Sequence, residues 1–467
     1  MTSLSAEPLA WDPLDEKYKV NPHPIWKRLR DEAPLYYNEQ HDFYAVSRFA
    51  DVDAFSRDPK TFVSSHGTVM EMIGPEPTEM EIMIFMDPPE HTRYRRLVSK
   101  AFTPRRMKTL EDDIRALCVG LLDDLVGRSS FDYVQDFGAR VPANVIASLL
   151  GVPPEDRDMV RGLIDGTFHL DPVQGMYNDI SFAAMTKLHE YFTATLLDRQ
   201  KNPRDDMFTD LLNMEIVDEE DGKPRRLTME QAVNFANLIG SAGTETVARL
   251  LGWAALTLDN NPDQRAELAA DPGLIPNTVE ELLRYEAPSP VQSRWCTADV
   301  EVHGGKIPAK SKVVLITGSA GRDERAFPDA DRFDIHRRFD HHLSFGYGVH
   351  FCLGAALART EGRIALEGPS SVSPSGLSTS RLPSRSTRAR SGVTRSCRSQ
   401  SEQELRPLGG SARRPLHWST HPALVAQRTR ASDYGSEGWG FESLRARQKA
   451  QFRAPKGPGA LISPPAP

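Results

Sequence analysis

Phe345-Gly346-Tyr347-Gly348-Val349-His350-Phe351-Cys352-Leu353-Gly354 is a glycine-rich loop that delivers one cysteine to the start of a helix. A thiolate both binds haem iron and pushes electron density onto it, which favours O–O cleavage over reversible oxygen binding. Gly346, Gly348 and Gly354 suit a backbone that takes unusual torsions and lies close to a flat macrocycle. The stretch from Leu353 to Glu367 reads as helix, so Cys352 is expected at a helix N-terminus, where the dipole and free N–H groups stabilise a thiolate. A buried structural cysteine is the ordinary fate of a lone Cys. The aromatic residue, the glycines and His350 two positions before the cysteine together favour a ligand.

Outward from the loop, the chain of 467 residues carries 57 Lys and Arg against 64 Asp and Glu, a net charge of −7. The charge is uneven. Residues 368–467 hold 16 basic against 5 acidic side chains, and 14 of the 16 are arginine, so the acidity belongs to the part before them. Four cysteines, Cys118, Cys296, Cys352 and Cys397, stand far apart without C-x-x-C pairs, which fits a reducing compartment. Met1 to Pro22 is polar and offers no apolar core for a signal peptide, and no run approaches the ~18 apolar residues of a membrane span. The expected protein is soluble and cytoplasmic.

Helix dominates the reading. Phe43 to Arg48 alternates as a strand, and Pro104 to Asn213 has helical period with expected breaks at Pro142, Pro153-Pro154, Pro172 and Pro203. Thr228-Met229-Glu230-Gln231 reads as a capping box opening a long apolar helix from about Glu230 to Leu258. A second helix is expected from Leu274 to Tyr285, then strand-like pieces at Val300–His303 and Val313–Thr317, then a loop-rich stretch from Arg325 to Leu343. After Glu367, Gly368-Pro369-Ser370-Ser371 is expected to break the helix. The Ser, Arg, Pro and Gly that follow show no sustained apolar period and are expected to stay disordered.

Within the long helix lies Gly240-Ser241-Ala242-Gly243-Thr244-Glu245-Thr246, small residues followed by an acid and an alcohol. Gly and Ala in a buried helix usually mark close packing, but a carboxylate in an apolar stretch is costly unless paired or used. Small residues also let a helix pass close over a flat cofactor, and a threonine hydroxyl can open the helical ladder. Glu281-Leu282-Leu283-Arg284 sets opposite charges at i and i+3 on one face, where a solvated pair is the ordinary outcome. His91 and Arg95 lie one turn apart in a basic helix start, Asp87 to Arg96. Ser64 to Met86 is rich in Met and Ile, adaptable apolar residues that also serve as core filling.

The cysteine loop matches the F-G-x-G-x-H-x-C-x-G form of the cytochrome P-450 family at each defined position, and this chain resembles that family from residue ~20 to 367. The resemblance implies a mainly α fold with small β-sheets (α+β) and a monooxygenase domain over 1–367. It implies haem b, iron protoporphyrin IX, with Cys352 as the iron ligand. Ala242, Gly243, Glu245 and Thr246 resemble the family's A-G-x-[DE]-T run, implying that Thr246 takes part in oxygen activation and Glu245 relays protons from solvent. His91 and Arg95 resemble the H-x-x-x-R propionate pair, Arg294 and His350 match further propionate contacts, and Phe345 and Gly346 belong to the cofactor loop. Glu281 and Arg284 resemble the E-x-x-R pair that braces the meander.

The implied reaction places one atom of O2 in an apolar substrate and the other in water. Two electrons arrive from NAD(P)H only indirectly, through a ferredoxin or flavodoxin and its reductase; no flavin or nicotinamide fingerprint replaces that partner. Arg93, Arg96, Lys100, Arg105, Arg106, Arg359 and Arg363 are candidates to steer such an acidic partner, or a merely solvated face. The resemblance also implies a C-terminal β-hairpin walling the substrate pocket, which the residues after Glu367 do not supply. An out-of-frame or read-through end explains 368–467; a basic regulatory tail is the functional alternative. Rival readings are a peroxide-driven peroxygenase, a haem-binding product without turnover, and a zinc or nucleic-acid binder. Against the last, His350-x-Cys352 has no second ligand pair of suitable spacing, and the basic stretch lacks a recognised nucleic-acid module.

Overall fold

The computed structural model describes residues 9–371, except 14, 16, 17, 19, 20, 100, 101, 103, 127, 129, 130, 170, 172–177 and 218–220. In chain order the helices are α1 (His23–Glu32), α2 (Phe49–Ser56), α3 (Glu90–Val98), α4 (Pro104–Asp123), α5 (Arg140–Leu150), α6 (Arg157–Thr167), α7 (Asp179–Lys201), α8 (Met207–Asn213), α9 (Met229–Asn260), α10 (Pro262–Ala270), α11 (Ile275–Tyr285), α12 (Thr317–Ala320) and α13 (Ala355–Ser371). The strands are β1 (Leu35–Asn38), β2 (Phe43–Val46), β3 (Phe62–Val63), β4 (Glu215–Val217), β5 (Pro224–Arg226), β6 (Gln292–Cys296), β7 (Val300–Val302), β8 (Gly305–Ile307) and β9 (Lys312–Leu315). One sheet has the order β1-β2-β9-β6-β3, and β4-β5 and β7-β8 are separate hairpins. Mainly α with small sheets is therefore the observed class.

Helix α9 is the axis of the molecule. Its start is set by a capping box: the Thr228 hydroxyl accepts from Gln231 N–H at 3.1 Å, and the Gln231 side chain accepts from Thr228 N–H at 3.1 Å. Apolar residues surround most of its length, so it is buried among α5, α7, α11 and α13. Its last residue precedes Pro262, which opens α10 at a position where its missing N–H costs nothing.

Sheet register places Arg294. Within β6, Gln292, Ser293, Arg294 and Trp295 pair antiparallel with Leu315, Val314, Val313 and Lys312 of β9, while β9 runs parallel to β2. Arg294 thus stands in a strand set between two neighbours, β9 and β3.

The E-x-x-R pair is wholly interior. Arg284 donates through Nε and Nη2 to the Glu281 carboxylate, both at 2.7 Å, and through Nη1 to the carbonyls of Gly321 and Ala330. Glu281 also accepts from Arg337 Nε at 3.1 Å and from the Asp334 N–H at 3.0 Å. Both side chains are 0 % exposed, so the pair pins the strandless stretch 321–343 to α11. A solvated surface pair is excluded.

Three sequence expectations need correction. Pro142 does not break a helix: it lies in the first turn of α5, where an intrahelical donor is not required. Strand β6 and helix α10 were not anticipated. Helix α13 starts at Ala355, with Leu353 and Gly354 forming a turn after Cys352. It also continues past Glu367, through Gly368 and Pro369, to Ser371. Packing against α4 explains the extension: a side chain at Gly368 would come within 2.7 Å of Leu122 Cδ1, and Arg363 pairs with Glu111 at 2.9 Å. The expected disorder of 368–467 and the missing hairpin lie outside the described residues beyond Ser371. Among the described residues, no helix is long and apolar enough to cross a membrane.

Candidate active site

The cysteine loop is shaped by its own backbone. Gly346 and Gly348 have φ of 65° and 70°, the left-handed region that glycine enters without strain. At Gly348 a Cβ would also collide with the Ser56 carbonyl oxygen, so only glycine lets the loop approach the end of α2. The Cys352 N–H donates to Phe345 O at 2.8 Å, closing the loop on itself. Cys352 has its thiol pushed up by burial, opposed by the Gly354 N–H and by the charges of Arg95 and Arg359. The helix start lies three residues on, and these neighbours alone do not outweigh burial. A bound cation would supply the missing stabilisation of a thiolate.

Phe345 is held from outside the loop. The Arg359 guanidinium lies 4.6 Å over its ring, and Arg359 donates to Glu280 at 2.6 and 3.0 Å. Glu280 also meets His342 Nε2 at 3.2 Å, which ties α11, α13 and the residues just before the loop. Arg359 and Arg363 are thus engaged in ion pairs, Arg363 with Glu111 and Glu367, and are not spare cations for an acidic partner. Lys100 lies outside the described residues, as do the side chains of Arg105 and Arg106.

Beside the loop four basic side chains converge from three places in the sequence. The rings of His91 (α3) and His350 are 4.2 Å apart, and Arg95 donates to Phe351 O at 2.5 Å. Arg294 (β6) donates to Ser293 O at 2.8 Å. Burial and then Arg95 push His91 down to about 4; burial, Arg294, His91 and Arg95 push His350 down to about 2. Arg294 is lowered to about 10 by burial, although Asp87 opposes this. Burial beside Arg95 and Arg294 thus disfavours a charge on either imidazole, a cost that an added anion would offset. His91 is 1 % exposed and neither ring nitrogen has a hydrogen-bond partner. Buried polar atoms in that condition call for a ligand that supplies acceptors. A group with two carboxylates and a metal within reach of Cys352 fits this donor set, and haem is such a group. A groove of about 860 Å³, bounded by His91, Arg95, Arg96, Gly348 and Val349, opens next to the cluster.

On α9 the small-residue run divides its work. A side chain at Gly243 would lie 2.5 Å from Ile146 Cδ1, so this glycine is explained by the approach of α5. Ala242 is exposed and Glu245 and Thr246 are half-buried. The Thr246 hydroxyl donates to Ala242 O at 2.8 Å, one turn back. Glu245 is not an isolated buried carboxylate: its Oε1 accepts from Arg249 Nε at 3.1 Å.

Comparison with known proteins decides the family. The model of the family described as Cytochrome P450 matches residues 273–367. Vitamin D(3) 25-hydroxylase of Pseudonocardia autotrophica is 39% identical over 351 residues, covering 74% of this chain and 85% of that protein. The chain belongs to the cytochrome P450 family. The solved P450 CYP109Q5 of Chondromyces apiculatus has a TM-score of 0.70 at 35% identity, over 77% of this chain and 90% of that one. A P450 of Bacillus megaterium, CYP109E1 in complex with corticosterone, has a TM-score of 0.67 at 30% identity, over 76% and 91%. This P450 is accordingly a haem b-dependent monooxygenase, of a family that takes O2 and receives its electrons from redox partners.

Sequence reading of the P450 site missed some of its residues. Ser64 Oγ lies 3.1 Å from His350 Nε2, and the Asp87 carboxylate accepts from the N–H groups of Ser64 and Ser65 at 2.8 and 3.0 Å. No local pattern marks Ser64, whose partner is 286 positions away. Arg249 was readable, since it stands at i+4 from Glu245.

Proposed function

We propose that this P450 inserts one oxygen atom of O2 into a hydrophobic small molecule in the cytoplasm, with electrons delivered by a separate ferredoxin or flavodoxin and its reductase. The observation that carries the reading is the convergence of His91, Arg95, Arg294 and His350 beside the Cys352 loop, two guanidinium groups and two buried imidazoles, with both His91 ring nitrogens left without a hydrogen-bond partner. In this reading Cys352 holds the iron, and the four basic residues hold the two propionates in fixed geometry. Phe345, Gly346, Ala242 and Gly243 are the residues that would lie against the ring. Haem b supplies the oxygen-activating chemistry; the protein supplies position and protons.

Thr246 and Glu245 would handle the protons. Glu245 takes a proton from solvent and passes it toward Thr246, whose hydroxyl is already held against the Ala242 carbonyl and can exchange that bond for one to the reacting oxygen. Two protons and two electrons accompany each O2, and one water leaves. The Met- and Ile-rich segment from Ser64 to Met86 supports an apolar substrate, as does the kinship with a vitamin D(3) hydroxylase and with a P450 that binds corticosterone.

Reduced, carbon-monoxide-bound absorption spectra of the wild type and of Cys352→Ala test the reading. The expected result is a thiolate-type Soret band that Cys352→Ala abolishes. A histidine-type band in the wild type, or an unchanged band in the variant, overturns it. Turnover with oxygen and a ferredoxin system is expected to exceed turnover with peroxide alone; the reverse replaces the monooxygenase reading with a peroxygenase.

A further inference from the structure

Helix α13 hands the chain over beside α4. Arg363 pairs with Glu111 at 2.9 Å, Arg115 pairs with Glu367, and a side chain at Gly368 would come within 2.7 Å of Leu122 Cδ1. These contacts advance along both helices in the same direction, so Ser371, where α13 ends, leaves it at the C-terminal end of α4. Another face of α4 turns outward. Asp112, Ala116, Val119 and Asp123 recur on it at helical spacing, with Asp113, Asp124 and Val126 beside them, and all seven are exposed. Val119 and Val126 each retain 49% exposure. Among the described residues no ion pair engages the carboxylates of Asp112, Asp113, Asp123 or Asp124, and the described cations of this stretch, Arg115 and Arg128, are engaged by Glu367 and Asp136. The end of the helix adds a partial negative charge at the same place. A face at once apolar and anionic fits cationic heads on apolar stems, and arginine has that form.

The chain supplies such a segment. Residues 372–467 lie outside the described residues, but in sequence no acid stands between Ser371 and Glu402, whereas Arg381, Arg385, Arg388, Arg390, Arg395 and Arg398 fall in that interval with Leu382 and Val393 among them. Ten residues lead from Ser371 to Arg381 and span up to ~35 Å when extended; α4, with 20 residues, is about 30 Å long, so the segment reaches the whole face. We propose that residues 381–398 dock within the same chain on the outward face of α4, with guanidinium groups on Asp112, Asp113, Asp123 and Asp124 and aliphatic stems over Val119 and Val126. Each exposed pair is weak, and the seat depends on their number and on the tether, which holds the segment at about millimolar local concentration. Many arginine–carboxylate pairings satisfy the face equally, so the association needs no fixed fold in the segment. The seat follows from composition and attachment, whichever origin accounts for the sequence after Glu367. Seated there, these arginines are withheld from nucleic acid and from an acidic redox protein.

Cys397 lies inside the segment and provides the test in the full chain with haem bound. Full-length Val119→Cys is treated with diamide, which takes two hydrogens from a pair of thiols, and disulfides formed with Cys397 are mapped by peptide mass. Val217→Cys, at an exposed position of β4, is the comparison. The extended chain from Ser371 to Cys397 spans ~90 Å, so reach alone does not favour either position. Docking is expected to make the disulfide from position 119 form at least about tenfold faster than that from position 217, a margin lost in roughly 1 M salt, where charges are screened beyond ~3 Å. Asp112→Lys/Asp123→Lys is expected to slow it by a similar factor, and Arg385→Glu/Arg388→Glu in the same chain to restore part of the rate.

Equal rates at the two positions, or a rate at position 119 indifferent to salt and to charge reversal, overturn the proposal. A disulfide found only between chains gives the face to a second copy, and one abolished by an equimolar single-stranded oligonucleotide gives the segment to nucleic acid; both also overturn it. If the charge-reversed chain fails to fold, Asp112→Asn/Asp123→Asn carries the comparison, with a smaller slowing expected and an unchanged rate counting against the docked seat.

Discussion

Glu280 shows how a single side chain gathers a loop, and it titrates in a predictable direction. Burial raises its carboxyl, but hydrogen bonds from His342 and Arg359 outweigh this and hold it down to about 2, from an ordinary value of 4.5. A depressed acid stabilises the folded state fully above its unfolded value and loses that contribution as pH falls toward the folded value. Stability is therefore expected to decline between pH 4.5 and 2 by about 1–2 kcal/mol from this group, allowing for its partial exposure. Urea unfolding from pH 5 to 3 checks this, with Glu280→Gln expected to show a flatter profile over that range. Cys352 and the propionate candidates were legible in the sequence because glycine, histidine and cysteine spacing is a local property. Ser64 and the Arg337 contact to Glu281 were not, because their partners are brought in by chain reversal.

Between elements, the meeting of α9 with α5 depends on one missing methyl group. Gly243→Ala places a carbon 2.5 Å from Ile146 Cδ1, and overpacking of this kind costs about 1–3 kcal/mol. Shortening the neighbour with Ile146→Val is expected to recover part of the loss, measured by thermal or urea unfolding of the single and double variants. An additive result would mean that Gly243 is needed for another reason, such as passage over the haem. The capping box at Thr228 was readable from four residues, and so was the start of α9. The extent of α13 was not: Gly368 and Pro369 predict a stop, and the seat against Leu122 of α4 overrides that preference.

For the molecule as a whole, the cation cluster joins α3, β6 and the cysteine loop, elements otherwise held by separate cores. An anion bound among them stabilises the folded state by linkage. Removing haem is thus expected to lower Tm and to speed amide hydrogen exchange in Glu90–Val98 and residues 345–354. Exchange in the β1-β2-β9 part of the sheet, none of whose residues belongs to the cluster, is expected to change far less. Uniform acceleration throughout would contradict the local role assigned to the cluster.

The sequence alone determined the family, the candidate ligand Cys352 and the helical character, because a ten-residue loop, a capping box and an apolar period are each read from neighbours along the chain. The tertiary structure alone decided that Glu281 and Arg284 are interior, that Gly243 stands against Ile146, that Arg359 and Arg363 are paired, and that Glu245 has Arg249 held beside it, with Arg249 also bonded to the Pro288 carbonyl. The physical reason is common to all of these: burial and charge compensation depend on which distant segments fold against a residue, and no local spacing encodes that.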